Sequence, residues 1–454
     1  MNSKKVVNML EGPLLGPIFL FAMPLFITSV LQLAFNAVDI IVVGKFTGHH
    51  ALAAVGATGP VINLLVTMFM GISIGASVIM GQNVGARDFK NAQDTLHTAI
   101  GISILGGIIV LFAGYFTAMP LLKLMQTPPE VIELAGEYLK IYYIGMPGFM
   151  VYNFGAALLR AIGDSKRPMY FLTISGVFNV ICNLIFVVIF KMGVAGVAIA
   201  TSISQYIAAA LIVASLLKAD GYMKLFIDKI RISKDKALGM MRIGLPAGFQ
   251  GALFSISNIL IQSGINSFGS VVMAGNTAAG NLEGFVYMGM NSIYQTSLSF
   301  TSQNMGAKQY DRVKKIFWTC VGVVIGVGLF LGVGAWLFGD KLLRLYTSEP
   351  EVIKYGVERL GVVSATYFLC GIMDTMVGGL RGMGYSITPM VVSLTAVCIL
   401  RMIWIATIFQ SIHTPVILYL SYPVSWIFAA IGHYINYLYA MKKLKKLQAA
   451  EACA

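Results

Sequence analysis

The sequence predicts an all-α polytopic membrane protein, with twelve transmembrane helices in two homologous six-helix bundles. Three observations carry that prediction: the scarcity of charge, the length of the apolar runs and a long internal repeat. Of the 454 residues, 57% are hydrophobic and 11% are charged, whereas a soluble domain carries about 25% charged residues. A water-soluble fold of this size could not hide so much apolar surface, so lipid has to cover it.

Taken in order, the apolar runs lie near 17–43, 51–80, 92–119, 135–159, 168–190, 194–217, 240–265, 270–300, 314–338, 357–380, 389–411 and 415–441. Each has about the 20 residues, or more, that a helix needs to cross the hydrocarbon core. Residues 102–114 and 321–338 hold no charge at all. The connections are too short for a separate soluble domain. Lys4 and Lys5 precede the first run without a small-residue cleavage site, so no removed signal peptide is expected. Four of the five cysteines fall within spans, which gives no disulfide framework.

Lys and Arg set the orientation. With the N-terminus in the cytoplasm, the inner segments collect Lys4, Lys5, Arg87, Lys90, Arg160, Lys166, Arg167, the basic residues from Lys218 to Arg242, Lys308, Arg312, Lys314, Lys315, Arg381 and those from Lys442 to Lys446. Both termini are therefore expected in the cytoplasm of a cell (inner or plasma) membrane protein. The net charge of +13 is then a topology signal, and nucleic-acid binding is not expected.

The chain matches itself at an offset of 221 residues. QNVGARDF (82–89) aligns with QNMGAKQY (303–310), LLKLMQTPPEVI (121–132) with LLRLYTSEPEVI (342–353), and LRAIGDSKRPM (159–169) with LRGMGYSITPM (380–390). Pro24 and Asn36 align with Pro246 and Asn258 at an offset of 222. The expected organisation is an N-terminal six-helix lobe (1–222), a basic cytoplasmic linker (223–236) on the lipid headgroups, and a C-terminal six-helix lobe with a basic tail (237–454). Six spans per half give both halves the same orientation. Such repeats commonly frame a cavity that opens alternately to each side.

With these features the sequence resembles the multidrug and toxic compound extrusion (MATE) family of the MOP superfamily, over essentially the whole chain. The resemblance rests on the two six-span halves and on the Gln-Asn-x-Gly-Ala signature at Gln82–Ala86 and Gln303–Ala307. The Leu-Arg-x-x-Gly loops at Arg160 and Arg381 and the text MGVAGVAIATSISQ at 192–205 add to it. It implies cation-coupled export of amphipathic, mostly cationic compounds, driven by H⁺ or Na⁺. No other cofactor is expected, and the chain is expected to act as a monomer.

Four ionisable residues lie well inside spans: Asp39, Glu283, Asp374 and Arg401. Each costs roughly 2.5–3.5 kcal/mol to place at a helix centre, so each asks for a function or a partner. Asp39, in NAVDIIVV, lies about 9 Å inside the outer end of the first span. Asn179 and Asn183 lie about 18 and 12 Å below the outer end of the fifth, and Thr201 about 12 Å below that of the sixth. Asn179 and Asn183 share a helix face. A carboxylate, two amides and a hydroxyl at similar depth make a candidate Na⁺ cage or proton site. The resemblance points the same way, since some family members use this Asp, an Asn and an Asp in the fifth span, and this Thr. Here the second fifth-span position is Asn183, so one formal charge stands where that pattern has two. A lone buried acid suits a proton carrier.

Glu283, Asp374 and Arg401 fall near mid-depth in the C-terminal half. Buried charges are normally paired, so Arg401 is expected to neutralise one acid and leave the other for a cationic substrate. Another branch of the family places a Glu in the seventh span and an Asp in the tenth; here those positions read Phe254 and Cys370, and that site is not carried over. Met68, Met70, Met288, Met290, Phe149, Tyr152, Tyr287 and Tyr294 are candidates for an adaptable cation pocket. Pro24 and Pro246 should kink the first helix of each half, and Gly71 and Gly75 suit close helix packing. The GISIG text at 71–75 matches a hydrolase elbow, but it sits inside a span without the required strand. No enzyme activity or ATP site is expected. The alternative function is a flippase for lipid-linked oligosaccharides, whose pyrophosphate would call for several inward basic residues; three mid-membrane acids against one Arg argue against it.

Overall fold

The computed structural model describes residues 6–125 and 127–453; Lys4, Lys5 and Gln126 lie outside the described residues. In chain order the α-helices are α1 (Leu15–Phe46), α2 (His49–Gly85), α3 (Phe89–Leu124), α4 (Pro129–Ile144), α5 (Met146–Ala161), α6 (Lys166–Asn183), α7 (Gly193–Leu217), α8 (Lys234–Asn266), α9 (Ser270–Gly306), α10 (Tyr310–Leu337), α11 (Gly339–Leu343), α12 (Pro350–Arg359), α13 (Phe368–Gly382), α14 (Ile387–Ser393), α15 (Leu400–Ala406), α16 (Ile408–Ser411) and α17 (Pro415–Cys453). Wider π-helical stretches at Leu184–Ile189, Leu360–Ser364 and Leu394–Ile399 continue α6, α12 and α14.

Among the described residues, nine helices are long and apolar enough to cross a membrane, or ten if the α12–α13 pair, bent by 41°, counts as one span. The protein is thus an all-α polytopic membrane protein, with fewer self-evident spans than the twelve expected. Two places account for the shortfall. The fourth apolar run is split at Gly145 into α4 and α5, each of 16 residues. Helix α9 has 37 residues but carries Ser292, Thr296, Ser297, Ser299, Thr301, Ser302 and Asn304, all buried. It packs against α10, α12 and α13. A helix walled by protein on several sides does not have to be apolar. Helices facing lipid do, and α3 exposes Ile108, Ile109, Phe112 and Phe116 accordingly.

The chain forms two compact units. One comprises Ile27–Phe249 with the residues up to Val7; the other comprises Asn8–Phe26 with the residues from Gln250 on. The chain changes unit within α1, between Phe26 and Ile27, and within α8, between Phe249 and Gln250. These crossings fall shortly after Pro24 and Pro246, which both lie inside continuous helices. In the first unit Leu96, Ile100, Leu122, Leu139, Tyr143, Phe154 and Ile212 form a fully enclosed core. There α2 meets the start of α8 so closely that a Cβ on Gly71 would lie 2.6 Å from Gly248 Cα. In the second unit Val363, Leu418, Tyr419 and Ala429 form one core cluster, and Val313, Phe317 and Leu380 another.

The repeated signatures are helix-ending turns. At the end of α2, Ala86 N–H donates to Gln82 O, Arg87 N–H to Val84 O and Asp88 N–H to Asn83 O; at the end of α9, Ala307, Lys308 and Gln309 repeat these bonds to Gln303, Met305 and Asn304. Arg87 and Lys308 adopt the left-handed conformation, with φ of 57° and 56°. The Leu-Arg-x-x-Gly loops are a second such pair, closed by Gly163 and Gly384 at φ of 97° and 92°, where a glycine carries no steric penalty. Asp88 then caps α3 through the backbone of Asn91. Its bonds to the Asn91 side chain and backbone hold its carboxyl below the usual carboxylate range.

The stretch from Gly221 to Ser233 forms two short 3₁₀ turns before α8 begins at Lys234. It lies against α3. Phe226 N–H donates to His97 Nε2 at 3.1 Å, Ser233 N–H donates to Thr98 Oγ1 at 3.2 Å, and Arg231 pairs with Asp94 at 3.6 Å. Met223 and Leu225 are buried.

Candidate cation and substrate site

Asp39 sits on α1 with 8% exposure, in the first unit. Asn183 is the last residue of α6 before the helix widens, and widened turns of this kind recur at functional sites. Its amide Nδ2 donates to Asp39 Oδ1 at 2.5 Å, and Thr201 of α7 donates its hydroxyl to Asp39 Oδ2 at 3.4 Å. Asn183 Nδ2 also donates to Asn179 Oδ1 at 3.1 Å, and Asn179 Nδ2 reaches Thr201 Oγ1 at 3.5 Å. The four residues singled out in the sequence thus form one closed polar ring. Asn183 Oδ1 is buried and has no donor among the described residues.

The ring solvates a carboxylate with neutral donors alone. It stabilises the charge without cancelling it, so the group keeps its capacity for a proton or another cation. Asp39, Asn179 and Thr201 open onto a cavity of about 470 Å³. Its walls include the candidates Met70, Phe149 and Tyr152. Tyr138, Tyr142 and Gln205 also line it; no signal in the linear pattern sets these three apart from other residues within spans. Met68 is not among the lining residues. The volume suits a drug-sized organic molecule, and aromatic faces with a nearby carboxylate suit a cationic one.

In the second unit the expected pairing is corrected. Glu283 bonds Arg359, not Arg401: Arg359 Nε and Nη2 donate to the two Glu283 oxygens at 2.9 and 2.7 Å. Arg359 Nη1 donates to Asn276 Oδ1 at 2.6 Å. Arg359 lies at the end of α12 just before the π-helical stretch. In the sequence it reads as a helix-end residue, and only the apolar text after it hints at burial. Arg401 instead donates Nε–H to Ser425 Oγ at 2.9 Å and stacks over Tyr422, its guanidinium 4.3 Å from the ring centroid. The same ring lies 5.5 Å from the Arg359 guanidinium. Aromatic faces stabilise a cation without an acid, which is how Arg401 remains buried outside an ion pair.

Asp374 is half-buried and makes no hydrogen bond or ion pair among the described residues. Arg381, two turns further along α13, bonds Tyr294 Oη and Gln250 Oε1, both at 2.9 Å. Glu283, Asp374 and Arg401 therefore do not form one charge cluster. Among the described residues no group of three or more His, Cys, Asp or Glu is placed to hold a metal ion.

A membrane-embedded helical fold built on this repeat, with a lone carboxylate facing a drug-sized cavity, defines a secondary transporter rather than an enzyme. The family pattern of MatE matches residues 24–185 and 246–407, one match in each half. The chain belongs to that family. It is 28% identical over 445 residues to "Probable multidrug resistance protein YpnP" of Bacillus subtilis, covering 98% of this chain and 99% of that one. It is also 28% identical to "Probable multidrug resistance protein YoeA" of the same organism, over 83% of each chain. A solved structure described as the outward-facing conformation of a multidrug resistance MATE family transporter of the MOP superfamily superposes with a TM-score of 0.90. That match has 21% identity and covers 98% of this chain and 100% of the other.

Proposed function

We propose that this chain is a cation-coupled multidrug efflux antiporter that exports amphipathic, mostly cationic compounds by alternating access, with Asp39 as the coupling site. The observation that carries the reading is the Asp39 carboxylate, held by Asn183 and Thr201 at the edge of a polar and aromatic cavity. Cation and drug compete for this charge. Entry of the cation neutralises Asp39 and releases the organic cation; loss of the cation restores the site.

A proton is the coupling ion that the donor set supports best. Asp39 accepts from Asn183 at Oδ1 and from Thr201 at Oδ2; a proton on Oδ2 needs only the Thr201 hydroxyl to turn from donor to acceptor. Na⁺ needs oxygen ligands. Asp39, Asn179 and Thr201 supply them, and Asn183 would complete the set by turning its amide so that Oδ1 faces the ion. Exchange of one monovalent cation for a monovalent drug moves no net charge. A tenfold ion gradient then supplies about 1.4 kcal/mol, enough for about tenfold accumulation.

The same reading takes α4 with α5 as the fourth span and α9 as the eighth, which restores twelve. It keeps both termini cytoplasmic on the Lys and Arg bias. It retains the lobes 1–222 and 237–454 with their linker 223–236, and a monomer as the working unit. Pro24 and Pro246, close to the crossings between units, are assigned as the points where α1 and α8 bend. Half-buried Asp374 is the C-terminal acid left for a cationic substrate. The test is efflux of a fluorescent monovalent organic cation from proteoliposomes, with pH and Na⁺ gradients imposed separately. Efflux under the pH gradient alone is expected. Efflux under Na⁺ alone would transfer the coupling to Na⁺, and no efflux under either gradient would overturn the export reading.

A further inference from the structure

A cavity of about 680 Å³ lies within the second unit, between the N-terminal part of α1, α9 and α10. Its walls are apolar, with Leu15, Phe19, Met23, Val327 and Phe330 among them. Gly322 and Gly326 also line it, and a Cβ built on either would meet nothing within 4 Å. From Thr319 to Leu331 the groove follows α10 for about 18 Å, close to the ~15 Å hydrocarbon depth of one bilayer leaflet. Lys315, exposed, stands one turn before Thr319, with Lys314 exposed beside it.

The repeat shows how the corresponding place is covered in the other half. At the 221-residue offset, Lys315, Thr319 and Gly322 of α10 correspond to Asp94, Thr98 and Gly101 of α3. There the stretch before α8 supplies every complement. Arg231 pairs with Asp94 at 3.6 Å. Thr98 Oγ1 accepts from Ser233 N–H at 3.2 Å and donates to Arg231 O at 3.4 Å. A Cβ on Gly101 would lie 3.1 Å from Ile232 Cγ1 and 3.7 Å from Ile230 Cγ2. A cation, a polar backbone and an apolar side chain thus cover an acid, a hydroxyl and a glycine.

In the second unit the residues before α1 take another course. Met9 is buried, and its carbonyl accepts from Asn304 Nδ2 at 3.0 Å and from Arg312 Nε at 3.3 Å. Arg312 also holds the carbonyls of Glu11 and Gly12. Thr319 turns its hydroxyl back to Lys315 O in its own helix, and Lys315 has no acidic partner among the described residues. The charge at the mouth of the groove is also reversed, Lys for Asp. We infer that the groove binds a phospholipid with an anionic headgroup. One acyl chain lies over Gly322 and Gly326, where Ile232 lies over Gly101 in the other half. The phosphate meets Lys315 and Lys314, where Arg231 meets Asp94.

The test is native mass spectrometry of the detergent-purified full chain, exchanged with an equal mixture of phosphatidylglycerol and phosphatidylcholine. The wild type should retain phosphatidylglycerol in preference. Lys315→Gln should lower that preference about fivefold, the equivalent of the ~1 kcal/mol that a basic residue contributes near an anionic lipid. The double variant Gly322→Leu/Gly326→Leu should lose the bound lipid of either kind while keeping its melting temperature, because leucine fills open space and suits a helix better than glycine. Unchanged lipid retention in the filled variant would overturn the proposal. So would an unchanged preference in Lys315→Gln, an arm that does not depend on how the filled variant folds.

Discussion

The two buried acids Asp39 and Glu283 differ in their partners. Asp39 is held by an amide and a hydroxyl, both neutral. Glu283 is gripped through both oxygens by the Arg359 guanidinium. The first arrangement leaves a negative charge beside a cavity, and the second cancels it. Burial of an acid is therefore insufficient to mark a coupling site. The partner decides whether the charge can still take up a cation. On the proposed reading the first unit carries the exchangeable charge; the Glu283–Arg359–Asn276 cluster ties α9 to α12.

The comparison breaks most visibly if the ion pair is split. Arg359→Leu leaves Glu283 buried without its cation and should cost about 3–5 kcal/mol of stability. Adding Glu283→Gln should recover most of that loss, read as the melting temperature in detergent. Failure of the second substitution to rescue the first would show that the pair is not the structural tie described here.

A smaller effect sharpens the corrected position of Arg401. It shares no hydrogen bond with Glu283 and meets Ser425 and Tyr422 instead. Arg401→Leu and Glu283→Gln should therefore add in melting temperature to within about 0.5 kcal/mol. A coupling well above that would restore Arg401 as a partner of the acid.

Smaller in stability, but specific in chemistry, is Asn183→Asp. It places a second carboxylate against Asp39 in the polar ring. Efflux should then depend on Na⁺ more strongly than in wild type, and tracer ²²Na⁺ binding to the purified variant should exceed that of wild type. Equal Na⁺ response in both proteins would show that the ring does not set ion choice.

The polar ring of the first unit was legible in the sequence because its signals are local. An acid in an unbroken apolar run, two amides four residues apart, and a common depth from helix geometry bring Asp39, Asn179, Asn183 and Thr201 together. The repeat was legible as well, and its signatures proved to be left-handed helix-ending turns at Arg87 and Lys308. Arg359 was hidden because depth counted from an apolar boundary places it at a helix end, whereas α9 and α17 enclose it. The 270–300 run nevertheless reads as a span, although α9 buries Ser292, Thr296, Ser297 and Ser302. The error over Arg359 treats lipid as the only neighbour a helix can have. Nothing in the linear pattern indicates that a polar helix is surrounded by protein.

The most direct measurement is the initial rate of organic-cation efflux from proteoliposomes under an imposed pH gradient. It compares wild type, Asp39→Asn and the double variant Glu283→Gln/Arg359→Leu, each verified as folded and inserted. The account predicts that Asp39→Asn abolishes gradient-driven efflux, while the neutralised pair retains most of the wild-type rate. Wild-type efflux in Asp39→Asn, with loss of coupling in the double variant, would contradict it and move the exchangeable charge to the second unit.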